Sequence, residues 1–334
     1  MFELCARKCS YWCYPSSKPN DGDEIEERHA IFELLLESHA EANYDSNPTT
    51  IDFGNCLAPA IDAWPNSKLV ISMIRNRAGI RGHLQTYSDA PDGGLFSPLQ
   101  LATRRNCSDI TRDLLENGAD INEPASHGGG TALQMACKPW YDLTNNLELV
   151  QYLLDHGADI NANPADDYGK TALQHACTNY WNYELIDLLL ARGADVNGPP
   201  AKISGRTALQ IACMNKPIDF KLINLLLEKG ANINASAAQT KGITALQGAV
   251  ISGNVELVLC LLERGAEVDA PGAQVDGRTA LEAAAEHGRL TITQVLLNAY
   301  RNVGVTPELD RPLELAEKEG HFGVVKLFKD HSTA

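Results

Sequence analysis

One string constrains this chain more than anything else in it. Gly205 to Ala235 reads GRTALQIACMNKPIDFKLINLLLEKGANINA: Thr-Ala-Leu opening a short apolar segment, a loop, a leucine-rich segment, then Gly-Ala-Asn-Ile-Asn. Variants of it recur. SPLQLA at Ser97 leads to LLENGADIN, TALQMAC at Thr131 to LLDHGADIN, and TALQHAC at Thr171 to LLARGADVN. TALQGAV at Thr244 leads to LLERGAEVD, and TALEAAAEHG at Thr279 to VLLNAYRN. The loop glycines Gly118, Gly157, Gly193, Gly230 and Gly265 stand 39, 36, 37 and 35 residues apart. A period of this length marks units that pack only on their neighbours and share a core growing along one axis. Such a chain displays a surface rather than enclosing a deep site.

Local chemistry predicts two helices per unit. Leu173 and Ala176 lie three apart, and Leu185, Leu188 and Leu189 follow at i, i+3 and i+4, so each segment carries one apolar stripe. Thr at the head of each first helix suits an N-cap, with Pro98 and Pro312 in a first helical turn. Each loop glycine follows a Leu-Leu segment, where a residue of positive φ ends a helix.

These features resemble the ankyrin repeat, with its Thr-Pro-Leu-His, Leu-Leu and Gly-Ala-Asp-Val-Asn signatures. The resemblance covers about nine units and is sharp from Ser97 onward. Gln mostly replaces the motif's His, and the spacing exceeds the usual period of about 33 residues. The Thr-Ala-Leu-Gln variant with long Pro-Ala fingers is similar to arrays of filamentous fungi. The resemblance implies an all-α fold, an α-solenoid of helix-turn-helix units with hairpin-like fingers. It spans 1–334 as a single array: irregular repeats at 1–50 and 51–90, clear repeats at 91–124, 125–164, 165–200, 201–237, 238–271 and 272–303, and a capping repeat at 304–334. It also implies an interaction scaffold that binds another protein or peptide in a concave groove.

Composition narrows the partner. A net charge of -15 and a pI near 5.0 argue against nucleic acid and anionic membranes, both of which need clustered Lys and Arg. No apolar run approaches the ~20 residues that span a bilayer. With nine cysteines and no secretory leader, the expectation is a cytoplasmic protein with free thiols, with a nuclear location left open.

Helix geometry selects the residues expected to face the groove. With Leu133 at 0° and about 100° per residue, Met135 falls near 200° and Lys138 near 140°, away from the core side. The equivalent positions are Leu101, His175 and Ile211, followed by Arg104, Arg105 and Met214. Trp64, Trp140 and Trp181 lie where first helices end, with Tyr141 and Tyr180 beside two of them. Either they fill space under long connections, or they line a groove over residues 57–216 rimmed by Arg104, Arg105 and Lys138. Trp, Tyr and Arg dominate binding hot spots.

The alternative is a small-molecule pocket in the same cluster, with His175, Lys138 and Arg104 or Arg105 as polar or acid–base groups. A further alternative is the repeat appendage of a larger protein. No catalytic string supports chemistry directly. His127-Gly128-Gly129-Gly130 lacks the Gly-x-Ser-x-Gly elbow of esterases, and Gly169-Lys170-Thr171 lacks the upstream glycine of a phosphate loop. Cys5, Cys9 and Cys13 on a helix would set the outer pair about 12 Å apart, too far for one metal with bonds near ~2.3 Å. Neither a metal nor a cofactor is expected.

Overall fold

The computed structural model describes residues 95–124, 129–138, 146–178 and 182–332, together with residues 61, 70, 71, 74, 84 and 85. The chain divides into two compact units, residues 1–138 with 144–159, and residues 139–143 with 160–334. Both are built from helix-turn-helix modules, and the fold is an all-α solenoid of repeats.

In the first unit, α1 (Pro98–Arg104) pairs with α2 (Ser108–Glu116), and α3 (Ala132–Ala136) with α4 (Leu147–Asp155). Helix α1 also packs on α3, so the modules share one layer of Leu99, Leu101, Leu133 and Leu153. Upstream, Val70 and Ile74 are helical and buried at i, i+4 spacing. A two-residue antiparallel pairing joins Leu84–Gln85 to Leu95–Phe96.

The second unit holds five pairs: α5 (Ala172–Ala176) with α6 (Tyr183–Ala191), α7 (Ala208–Ala212) with α8 (Phe220–Glu228), α9 (Ala245–Ser252) with α10 (Val255–Glu263), α11 (Ala280–Glu286) with α12 (Leu290–Val303), and α13 (Asp310–Lys318) with α14 (Phe322–Ser332). Inner helices α5, α7, α9, α11 and α13 pack in succession. The outer helices bury Leu185, Ile186 and Leu189, then Leu222, Ile223 and Leu226, then Leu257, Val258 and Leu261. Leu188, expected in that stripe, is half-buried.

The inner helices start where their threonines predict. Thr207 Oγ1 accepts from Gln210 N at 3.3 Å, and Gln210 Oε1 accepts from Thr207 N at 2.9 Å, a reciprocal cap. The same box forms at Ser97, Thr131, Thr171 and Thr244. The glutamine does a second job. Gln210 Nε2 donates to Ala235 O at 2.9 Å and Ser236 O at 3.2 Å, in the segment that follows the repeat's second helix. Gln174 repeats this with Gly198 O and Pro199 O, and Gln247 with Ala270 O and Pro271 O.

Asparagine makes a second rung between neighbours. Asn197 Nδ2 donates to Gly230 O, while Asn197 Oδ1 accepts from Asn232 N. Asn122, Asn161 and Asn234 bond the same way to Gly157, Gly193 and Gly265. The five loop glycines carry φ between +89° and +91°, as their position after a Leu-Leu segment predicts.

Both rungs end where the sequence departs from the string. Glu282 replaces the glutamine and cannot donate when ionised, and Asp269 replaces the asparagine. Glu282 instead keeps the cap through Thr279 N at 2.8 Å and pairs with Arg311 Nε at 3.2 Å.

Candidate functional site

The residues expected along a groove sit differently from the helical-wheel expectation. In the first unit Leu101 and Met135 are buried, and Arg104 is 7% exposed with its guanidinium carbon 4.8 Å from the Phe96 ring centroid. Arg105 is exposed at the C-cap of α1, and Lys138 is half-buried. Met135 is covered because it folds back on the finger base: its Cε lies 2.8 Å from where a side chain on Gly130 would begin. Trp64, Trp140 and Tyr141 lie outside the described residues.

In the second unit His175 is 7% and Ile211 6% exposed. The five-residue helix α5 packs on both α6 and α7 and so keeps almost no free face. The His175 carbonyl accepts from Thr178 Oγ1 at 2.6 Å. Met214 is half-buried, its Cγ 3.1 Å from where a side chain on Gly248 would start. Tyr180 and Trp181 lie outside the described residues. Tyr183 is a brace between repeats: its hydroxyl donates to Asp219, the N-cap of α8, and Lys221 Nζ stands 3.9 Å over its ring. Burial, then the Asp219 hydrogen bond and charge, push its hydroxyl pKa up.

Cys137, Cys177 and Cys213 stand at the same place in their repeats, directly after the inner helix, and belong to the core. Cys137, Cys177 and Cys213 are free, buried thiols, and burial pushes Cys177 up to about 12 and the other two higher still. A thiol pKa raised on folding contributes stability below the unfolded value of 9.0, and that contribution is lost as pH rises above it. By pH ~10 each buried thiol should cost about 1 kcal/mol relative to neutral pH. Urea midpoints compared at pH 8 and pH 10, with Cys177→Ala and Cys213→Ala as controls, check this. The variants should flatten the pH dependence.

The sequence reasoning missed a row at the finger bases of the second unit. Parallel bridges align Asp167, Ile203, Thr240 and Val275. Three residues on from each stand Lys170, Arg206, Ile243 and Arg278, each immediately before an N-cap threonine. Their shared place before the threonine was visible, but only the aligned fingers show that they are neighbours. Arg278 is paired, Nε to Glu286 Oε2 at 3.2 Å and Nη2 to Glu286 Oε1 at 3.5 Å. Arg206 Nε is buried without a partner, and burial draws its pKa below the usual guanidinium value.

On the outer face, a depression between α8 and α10 is lined by Phe220, Asn224, Leu259, Cys260 and Arg264. Its polar groups answer one another, Arg264 Nη2 donating to Asn224 Oδ1 at 3.0 Å and Nη1 reaching Cys260 Sγ. Among the described residues no helix is long and apolar enough to cross a membrane.

Comparison with known proteins agrees with this architecture. A family model described as ankyrin repeats (3 copies) matches residues 99–199 and 199–272, together just over half of the chain. The chain is similar to ankyrin repeat and SOCS box protein 6 of Homo sapiens, 39% identical over 81 residues, covering 24% of this chain and 18% of that protein. It is similar to the E3 ubiquitin-protein ligase XBAT33 of Arabidopsis thaliana, 39% identical over 89 residues, 26% of this chain and 16% of that protein. Ankyrin repeat and MYND domain-containing protein 1 of Homo sapiens is 38% identical over 68 residues, 19% of this chain and 7% of that protein. The chain thus matches less than a fifth of the length of each of these relatives. With the family model covering most of its capped, glycine-punctuated helix pairs, this chain belongs to the ankyrin-repeat family.

Proposed function

We propose that the chain is a protein- or peptide-binding scaffold. Family membership over just over half of its length carries this, because ankyrin repeats generally mediate protein–protein interaction. The architecture supports it: inner and outer helices spend their apolar faces on neighbouring repeats, and the fingers and inner-helix ends remain for recognition. Among the residues expected along the groove, Arg105 and Lys138 in the first unit and Met214 in the second are reachable, whereas Leu101, Arg104, Met135, His175 and Ile211 are buried. Trp64, Trp140, Tyr141, Tyr180 and Trp181 supply the aromatic anchors. The acidic balance argues against nucleic acid and anionic membrane as partners, and the buried free thiols suit the cytoplasm. The ligase activity and the SOCS box in the relatives' names belong to whole proteins of which the match covers less than a fifth, so only the repeat's recognition role is carried over.

Exchanging Trp140 and Trp181 together for alanine tests the aromatic anchors. Partner capture from native lysate should be lost while the far-ultraviolet circular dichroism stays that of the parent. Unchanged capture would remove the tryptophans from the interface.

A further inference from the structure

Within the second unit the protein contains a template for what its finger-base row is built to hold. Each row residue has a counterpart eight positions on, at the end of its inner helix: Thr178 for Lys170, Met214 for Arg206, Ile251 for Ile243 and Glu286 for Arg278. At Arg278 the counterpart is a carboxylate, and the guanidinium grips it through both Nε and Nη2. At Arg206 the counterpart is Met214, which has no acceptor of comparable strength.

Arg206 shows the consequence. Its Nε is buried without a hydrogen-bond partner, and Nη1 reaches the Ser204 carbonyl at 3.5 Å, the outer limit of a hydrogen bond. No carboxylate among the described residues pairs with it. A half-buried guanidinium has given up part of its hydration, and carboxylate in a two-handed geometry is the partner its planar fork fits best. The surroundings add two constraints. Three of the four row positions are cationic although the chain as a whole carries -15. Met214, eight residues on from Arg206, and Ile243, next to Arg206 in the row, both pack against Gly248 and make an apolar shoulder.

The geometry points to Arg206 as the receptor for a carboxylate delivered by an extended acidic segment of a partner protein. The segment carries Asp or Glu next to an apolar residue, which rests on the Met214–Ile243 shoulder. The partner's carboxylate meets the Nη side of the Arg206 guanidinium from outside, the role that Glu286 plays for Arg278 from within the chain. This rests on the protein-binding function proposed above and adds its specificity: a locally acidic sequence recruited by an acidic protein through a basic row.

A phage-displayed library of random linear peptides, selected on the full chain, supplies the probe. Enriched peptides should carry Asp or Glu beside an apolar residue, and a synthetic winner should weaken about tenfold when that residue becomes its amide. Arg206→Met should weaken the acidic peptide about as much and leave the amide version unaffected. Met214→Glu should do the same by supplying an internal carboxylate, while its melting temperature matches or exceeds the parent's. That variant keeps the test intact should Arg206→Met fail to fold. Binding should also weaken as salt rises. Winners with no carboxylate preference, or acidic winners that bind Met214→Glu and Arg206→Met as tightly as the parent, would overturn the assignment and leave the scaffold function standing. No enrichment on the parent above an unrelated control protein would remove both.

Discussion

Gln210→Glu is expected to cost about 3–5 kcal/mol at neutral pH, the scale of an unanswered buried charge. The side chain is 1% exposed, and its two ends face opposite chemistry. Oε1 accepts from Thr207 N at 2.9 Å, which glutamate reproduces. Nε2 donates to the carbonyls of Ala235 and Ser236, where glutamate presents a charged oxygen to two acceptors. A protonated carboxyl would restore one donor, so the folded-state pKa of the introduced acid must rise. Such a group's stability is present below its unfolded value near ~4.3 and is lost as pH climbs through the folded one. Urea midpoints should therefore show the deficit shrinking toward pH ~4.5 relative to the parent. Glu282→Gln, at the same position of the repeat where the side chain faces Arg311, should cost about 1 kcal/mol through the loss of that pair. Equal losses at neutral pH in the two variants would mean that the Ala235 and Ser236 carbonyls do not set the cost.

That contrast shows which parts of the fold a sequence can disclose. Thr207 and Gln210 cap a helix between themselves, and Leu222, Ile223 and Leu226 mark its partner by spacing, so both helices of the unit were legible from local pattern. The second job of Gln210 depends on Ala235 and Ser236 beyond the repeat's second helix, and the string alone does not show that they arrive there. Asn197 is the same case: a plain loop residue until Gly230 and Asn232 come alongside. The burial of Met135 has a related reason. A wheel drawn on Leu133 assumes that the far side of the helix is open, whereas Gly130 brings the finger base against Met135. Arg206 went unnoticed because its meaning lies in a comparison with Arg278 that only aligned fingers permit.

Gly205→Ala should destabilise the protein by about 3 kcal/mol or more, because the added carbon has nowhere to go. It would stand 2.1 Å from the Ala201 carbonyl oxygen and 2.3 Å from the Ala201 nitrogen, and both atoms belong to the finger's own backbone. Ser204, one residue earlier, already holds φ +53°, so the turn cannot open without losing its shape. Gly169, Gly242 and Gly277 meet Ala165, Ala238 and Ala273 in the same way, an Ala-x-x-x-Gly spacing that recurs in each finger of the second unit. Gly230→Ala is the control. Its φ of +89° makes any side chain unfavourable, but nothing lies within 4 Å of the new carbon, so about 1 kcal/mol is expected. The two losses should also differ in reach. Ser204 N donates to Thr240 O at 2.8 Å, and Lys202 N to Asp166 O at 3.0 Å, so a distorted finger at Gly205 pulls on both neighbours. Amide exchange should therefore quicken at Lys202, Ser204 and Thr240 in Gly205→Ala and stay at parental rates there in Gly230→Ala. Protection retained at all three amides in a folded Gly205→Ala would show that the fingers are held independently of one another, and the aligned row that presents Arg206 would lose its structural basis.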